Sequence, residues 1–141
     1  MIYYLDTSVL VAALTREART EDIQIWLSRQ NPEALAISAW VVTEFSAALS
    51  VKLRSRQIGG QHRAQALAAF AELSKESLIL LPISASQFHA AARLADQNVL
   101  GLRAGDALHL AIATDHGATL ITLDQRLAEA GCSAGIPTRI L

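Results

Sequence analysis

The chain has 141 residues, a length typical of a single domain, and 52% of them are hydrophobic, which is enough to bury a sizeable core. Its formal net charge of −1 excludes a polycation that binds nucleic acid by bulk attraction alone. The longest stretch without a charged residue, 77–92, contains Pro82 and is shorter than the roughly 18 apolar residues of a membrane span, so no membrane association is expected.

Short apolar runs alternate with segments of helical periodicity along the whole chain. The apolar runs predict β-strands at about residues 2–5, 34–37, 78–81 and 118–123, with a fifth, edge strand at 136–140. The segments between them predict helices at about residues 7–15, 20–30, 38–58, 61–75, 84–98, 104–116 and 125–130. Because the strands are uniformly apolar, both faces of their sheet are expected to be covered. The pattern therefore predicts an α/β fold with a parallel sheet.

No repeat, low-complexity tract or linker interrupts the chain, so one domain covering residues 1–141 is expected. Cys132 is the only cysteine, which excludes an internal disulfide and favours a reducing, cytoplasmic environment. No Ser-His-Asp or Cys-His pattern stands out, so nucleophilic catalysis by a side chain is not predicted.

Four acidic residues lie inside or at the end of apolar segments, where an ordinary fold would not place them. Asp6 and Asp124 each follow directly on a predicted strand, so both should sit at the carboxyl edge of the sheet, where open parallel sheets bind ligands. Asp106 lies in the first turn of a predicted helix, whose dipole favours a carboxylate there. Glu44 lies on the apolar stripe of its helix and should point at the sheet.

Such acids are costly to bury unless they are paired, hydrogen-bonded or bound to a metal, and a group of them repel one another. A shared divalent cation would remove this penalty, and oxygen-only ligands favour Mg²⁺ or Mn²⁺ over zinc. Taken singly, Asp6, Asp106 and Asp124 can be explained as turn, first-turn and capping residues, and Glu44 as a core acid paired with an arginine. The four together are better explained by a metal site.

The segments around these acids resemble, in order, the four motifs of the PIN-domain family. They are residues 4–8 (YLDTS), 42–45 (VTEF), 105–113 (GDALHLAIA) and 120–124 (LITLD). The resemblance covers essentially the whole chain. Its single-domain length is also similar to that of the VapC-type toxin ribonucleases of type II toxin–antitoxin systems.

This resemblance implies a three-layer α/β/α domain whose central parallel sheet of four or five strands carries an acidic pocket that binds Mg²⁺ or Mn²⁺. It also implies endoribonuclease activity, a homodimer and inhibition by a cognate antitoxin protein. By motif match, the metal-binding catalytic residues are Asp6, Glu44, Asp106 and Asp124. The matching hydroxyl positions, which would hydrogen-bond carboxylates or bound water, are Ser8 and Thr122.

A basic stretch is the main candidate for contact with RNA. Residues 45–71 include no acidic residue, and they carry the cations Lys52, Arg54, Arg56 and Arg63. This stretch is explained either as a solvated helix face or as a surface that contacts phosphates. Arg103, beside the third motif, is a further candidate. With 5% aromatic residues, base stacking is not expected to dominate RNA binding.

Three alternative functions are weighed against the metal-dependent ribonuclease. A non-catalytic PIN-like binding module is disfavoured because all four acids are present. A phospho-accepting receiver domain needs a lysine near its pocket, and the only lysines, Lys52 and Lys75, lie on predicted helices. A DNA-directed nuclease of the same metal chemistry is not separated from a ribonuclease by the acids alone. His109, one turn after Asp106, could touch the pocket, although its position is better accounted for by a packed, hydrogen-bonded histidine.

Overall fold

The computed structural model describes all 141 residues and contains one five-stranded sheet. The strands are β1 (Tyr3–Leu5), β2 (Leu35–Ser38), β3 (Ile79–Leu81), β4 (Thr119–Thr122) and β5 (Thr138–Ile140). All neighbours pair in parallel, in the spatial order β3-β2-β1-β4-β5. The first strand of the chain, β1, therefore occupies the middle of the sheet.

Seven α-helices flank this sheet in a three-layer α/β/α arrangement. They are α1 (Thr7–Leu14), α2 (Thr20–Ser28), α3 (Ala39–Arg54), α4 (Gly60–Ser77), α5 (Ala85–Asp96), α6 (Ala104–Asp115) and α7 (Gln125–Ser133). Helix α1 packs against α2, α3 and α4, whereas α5 packs mainly against α6. The predicted α/β class and parallel sheet are confirmed, and the sheet has five strands. No helix combines the length and the apolar character that crossing a lipid bilayer requires.

Helix α3 ends four residues earlier than the sequence pattern predicts, at Arg54 instead of residue 58. The backbone turns out of the helix at Arg56, which has a left-handed φ of 60°. The N–H of Gln57 then donates to the carbonyl oxygen of Lys52 at 2.9 Å, and the N–H of Arg56 donates to Leu53 O at 3.1 Å. This pair of bonds is a Schellman cap, which normally favours glycine at the left-handed position.

The core lies on both faces of the three central strands. Tyr4, Leu5, Leu120 and Ile121 have no exposed surface. Helix α6 is buried along the whole segment Ala107–Ala113, which explains why its sequence is apolar on nearly every face. The two edge strands, by contrast, contain exposed residues, so the first and fourth motifs, at the ends of β1 and β4, lie on central strands.

Pairing of β1 with β4 brings two of the acidic motifs to one edge of the sheet. The register places Leu5 opposite Ile121, and the N–H of Asp6 donates to Ile121 O at 3.0 Å. Asp6 therefore leaves β1 beside the last residue of β4, Thr122. Asp124 follows two residues later as the N-cap of α7. The carboxyl ends of these strands thus form the floor of the candidate site.

Replacement of Gly131 by alanine is expected to destabilise the packing of α7 on β5. A Cβ at this position would overlap Thr138 Oγ1 and would lie 3.0 Å from Thr138 Cβ and 3.2 Å from Leu110 Cδ2. Overpacking of this kind lowers the free energy of unfolding by about 1–3 kcal/mol, which urea denaturation can measure. Gly60→Ala is the control, because nothing lies within 4 Å of a Cβ there. Equal stability of Gly131→Ala and wild type would contradict the observed packing.

Candidate active site

An acidic pocket of about 400 Å³ opens at the carboxyl edge of the sheet. Three of the four predicted acids line it: Glu44 from α3, Asp106 from α6 and Asp124 from the turn before α7. Trp40 and Gly105 form part of its wall. A Cβ added at Gly105 would lie 3.1 Å from Glu44 Oε2, so a side chain larger than hydrogen at this position would press on that carboxylate.

Asp6, the fourth acid, is not part of the pocket lining and is only 5% exposed. Its Oδ1 accepts a hydrogen bond from Ser8 Oγ at 2.5 Å, and its Oδ2 accepts one from Thr122 Oγ1 at 2.7 Å. Burial raises the pKa of the Asp6 carboxyl, and the bonds from the two hydroxyls only partly offset this. The structure therefore places both predicted hydroxyls directly on Asp6.

The same two hydroxyls also fix the backbone that leads to Asp124. Thr122 Oγ1 accepts a hydrogen bond from the N–H of Asp124 at 2.9 Å, and Ser8 Oγ accepts one from the N–H of Leu123 at 3.0 Å. Each hydroxyl thus donates to Asp6 and accepts from the loop that follows β4. This coupling holds the first and fourth motifs in one geometry.

Glu44 is held by two donors on one oxygen. Its Oε1 accepts from Thr7 Oγ1 at 2.8 Å and is in close contact with His109 Nε2. Burial alone would raise the pKa of Glu44, but the hydrogen bond and charge of His109, together with the Thr7 bond, outweigh it and lower the pKa. The alternative explanation of Glu44 as a core acid paired with an arginine, which the sequence disfavours, does not apply here, because its partner is His109.

Asp106 and Asp124 both line the pocket, and their negative charges repel each other. Burial, followed by the negative charge of Asp124 and more weakly that of Glu44, raises the pKa of Asp106. Asp124 caps α7, because its Oδ1 accepts from the N–H groups of Arg126 at 2.9 Å and Leu127 at 3.3 Å. Its other carboxylate oxygen accepts no hydrogen bond within the chain and remains available to a ligand.

No group of three or more His, Cys, Asp or Glu side chains is arranged to hold a metal ion as it stands. The chemistry of the donor set nevertheless suits a hard divalent cation, because all four candidate ligands are carboxylates. Burial, and after it the negative charges of Asp124 and Glu44, raise the pKa of Asp106, and a bound cation would offset these effects. These residues therefore fit Mg²⁺ or Mn²⁺ by donor type and by charge.

Of the arginines that the sequence suggested for RNA contact, the pocket includes only Arg103. Arg54 lies ten residues after Glu44 on α3, about 15 Å further along the helix axis, and neither Arg56 nor Arg63 lines the pocket. Lys52, in the same basic stretch, pairs with Glu17 at 2.9 Å.

Four residues of the pocket were not predicted as site residues, and besides Gly101 and Gly105 they are Trp40 and Arg126. Arg126 lines it from the first turn of α7, and its position two residues after Asp124 was the available signal. Trp40 was missed because a tryptophan near a helix start is usually a core residue. Its Nε1 is buried and has no hydrogen-bond partner. His109 does not line the pocket, but it contacts Glu44 from behind.

Comparison with known proteins identifies a family and a set of similar folds. Residues 3–131 match the PIN domain. VapC20 of Mycobacterium tuberculosis, a sarcin-ricin loop cleaving toxin, is 20% identical with a TM-score of 0.74, and the match covers 92% of this chain and 95% of that one. VapBC-1 of nontypeable Haemophilus influenzae is 19% identical with a TM-score of 0.71, covering 99% and 98%. FitAcB of Neisseria gonorrhoeae is 20% identical with a TM-score of 0.67, covering 97% and 96%.

At these identities the solved structures establish a shared fold. No curated protein matches the sequence significantly.

The charge in the pocket predicts that removing one acid stabilises the metal-free protein at neutral pH. Because the folded state raises the pKa of Asp106, its ionised form opposes folding, and this penalty is absent below the unfolded pKa of about 4. Asp106→Asn should therefore raise the melting temperature by a few degrees at pH 7 in chelator, with a smaller difference towards pH 4.

The control for this measurement is Asp22→Asn, because the Asp22 side chain is 70% exposed on α2. It should show no comparable gain at either pH. A lower melting temperature for Asp106→Asn at pH 7, or a gain that does not change with pH, would contradict the electrostatic origin of the effect.

Proposed function

The chain belongs to the PIN-domain family, and we propose that it is a Mg²⁺- or Mn²⁺-dependent endoribonuclease, the toxin of a toxin–antitoxin pair. The observation that carries this proposal is the convergence of Glu44, Asp106 and Asp124 on one pocket, with Asp6 directly beneath it. Gathering these charges does not stabilise a fold, whereas hydrolysis of a phosphodiester uses them to hold a divalent cation. The fold of VapC20, a sarcin-ricin loop cleaving toxin, supports the same activity class.

The four carboxylates would hold the cation. Asp106 and the free oxygen of Asp124 are best placed to meet it in the pocket, with Glu44 Oε2 on the same wall and Asp6 behind them. When bound, a divalent ion supplies positive charge that stabilises the charge developing on the phosphate and helps to activate water.

The chain's own residues account for the remaining requirements of the reaction. Arg103 and Arg126 present guanidinium groups to the pocket, which suits binding of phosphate oxygens on either side of the cleaved bond. Trp40 forms part of one wall. Glu44 Oε2, on the side of Gly105 in the pocket wall, would orient an attacking water. Attack by water leaves a 5′-phosphate and a 3′-hydroxyl on the products.

The proposal extends to the partners and the setting of the protein. VapBC-1 and other similar structures are described as VapBC proteins, which supports a cognate antitoxin as a partner here. A homodimer and a cytoplasmic location, expected from the family resemblance and from the lone Cys132, belong to the same proposal.

A non-catalytic PIN-like module is the second candidate, and two observations favour it. Both oxygens of Asp6 are already bound by hydroxyls, and no three acids form a preformed metal site. Such a module would bind RNA or a divalent ion without cleaving RNA. A DNA-directed nuclease of the same metal chemistry is not separated from a ribonuclease by the residues of the pocket.

Cleavage of a defined, structured RNA is the test of the proposed activity. We expect cleavage in Mg²⁺ or Mn²⁺, none in chelator, and a loss of about 10²–10³-fold in Asp6→Asn and in Asp106→Asn, because each removes charge from the reacting centre. Asp22→Asn is the control and should cleave like wild type. Products carrying a 2′,3′-cyclic phosphate would overturn hydrolysis by water. Metal binding without cleavage across a broad RNA panel would favour the non-catalytic module.

Replacing the two arginines of the pocket should affect RNA binding, whereas replacing two arginines of the basic stretch should not. Loss of Arg103 and Arg126 together should weaken binding and reduce the slope of log affinity against log salt by about 1.4, the value for two phosphate contacts on a single strand. The matched pair Arg54→Ala and Arg56→Ala should leave the slope unchanged, because neither side chain lines the pocket. A filter-binding titration in chelator measures both. The reverse result would restore the basic stretch as the RNA-binding surface.

A further inference from the structure

A buried series of side-chain hydrogen bonds runs from β2 to the back of the acidic pocket. Ser38 Oγ lies 2.7 Å from Tyr4 Oη, and Tyr4 Oη lies 2.9 Å from His109 Nδ1. On the other side of the ring, His109 Nε2 contacts Glu44 Oε1. Ser38 and Tyr4 have no exposed surface and His109 is 2% exposed, so water cannot replace these partners. Three elements of the core, β1, β2 and α6, thus converge on one glutamate.

The hydrogen-bonding groups on either side of the ring, Tyr4 and Glu44, indicate which nitrogen of His109 carries a proton. The phenol of Tyr4 can donate as well as accept a hydrogen bond. A glutamate carboxylate can only accept, and Glu44 Oε1 already accepts from Thr7. Nε2 of His109 must therefore carry a proton to bond Glu44. The other ring nitrogen, Nδ1, is bonded to the Tyr4 hydroxyl, which also bonds Ser38.

The two oxygens of Glu44 have different surroundings as a result. Both donors, Thr7 Oγ1 and His109 Nε2, act on Oε1. Oε2 lies on the side of Gly105, where an added Cβ would be 3.1 Å away, and Gly105 lines the pocket. Rotation of the carboxylate would break both bonds to Oε1, so the carboxylate is fixed with one oxygen towards the pocket.

We propose that His109 is a positioning residue, which holds Glu44 through Oε1 and thereby presents Oε2 to the acidic pocket, while Tyr4 fixes the orientation of the imidazole ring. This inference rests on the proposed function, because it assigns the support of one of its acids. Groups that orient an acid or ligand from behind typically change metal affinity or activity by about 10- to 100-fold when removed.

A histidine with only a structural role would respond differently to substitution. Such a residue satisfies its own ring nitrogens, and its loss would affect stability without acting through a particular acid. A positioning residue acts through Glu44, so its loss should have no further effect once Glu44 is already changed. A double-mutant cycle between the two residues separates these roles.

The test variants are chosen from the hydrogen bonds of the His109 imidazole ring. His109→Leu removes both nitrogens, whereas His109→Gln keeps a donor able to reach Glu44. Tyr4→Phe keeps the ring of residue 109 and removes only the hydroxyl that orients it. Tyr3→Phe is the matched control, because the neighbouring Tyr3 packs on Trp26 and its hydroxyl takes no part in the series.

We expect His109→Leu to raise the Mn²⁺ dissociation constant and to lower kcat for RNA cleavage, each by about 10- to 100-fold, with KM little changed. His109→Gln should recover most of the loss, Tyr4→Phe should show a smaller loss, and Tyr3→Phe should match wild type. In a Glu44→Gln background, His109→Leu should add nothing. The imidazole ¹⁵N shifts of wild type should show a proton on Nε2.

The inference is overturned if the effects of His109→Leu and Glu44→Gln add fully, or if folded His109→Leu binds Mn²⁺ and cleaves RNA like wild type. If His109→Leu does not fold, the same cycle with Tyr4→Phe decides, and full additivity there overturns the inference equally. Wild type that binds Mn²⁺ without cleaving any RNA would refute the proposed activity, while coupling of His109 to Glu44 in Mn²⁺ binding would still uphold the positioning role.

Discussion

Parallel pairing of β1 with β4 is the constraint on which the site depends. Once Leu5 lies opposite Ile121, Asp6 must leave the sheet beside Thr122, and the loop to Asp124 must pass over it. A slip of one residue would turn every side chain of β1 to the other face and would remove Tyr4 from His109 as well. The apolar core that fixes this register therefore also fixes the chemistry at its edge.

Each acid is accommodated by a different physical device. Asp6 is bound by two hydroxyls, Glu44 by a hydroxyl and an imidazole, and Asp124 by the N-terminus of α7. Asp106 retains the uncompensated repulsion, since its pKa is raised by burial and by its acidic neighbours. The cost of gathering negative charge is thus felt at Asp106, which lines the pocket. Stability given up at a site in this way is typical of functional residues.

The sequence predicted the fold well because its signals are local. Uniformly apolar strands, helical periodicity and the position of Asp6 and Asp124 after strands need no knowledge of distant contacts. The partner of Glu44 could not be predicted in the same way, since His109 lies 65 positions further along the chain and meets Glu44 only after β1, α3 and α6 pack together. The early end of α3 was missed because an arginine, where glycine is usual, takes the left-handed position of its cap.

Under the proposed function, the charges around the pocket also couple the binding of the cation to the binding of RNA. Three carboxylates on the lining repel a phosphodiester, and the two arginines beside them cannot neutralise all of that charge in addition to the charge of RNA. A divalent cation reverses the local sign, so its binding and the binding of RNA favour each other. Because such coupling is reciprocal, RNA in the pocket raises the affinity for the cation by the same factor.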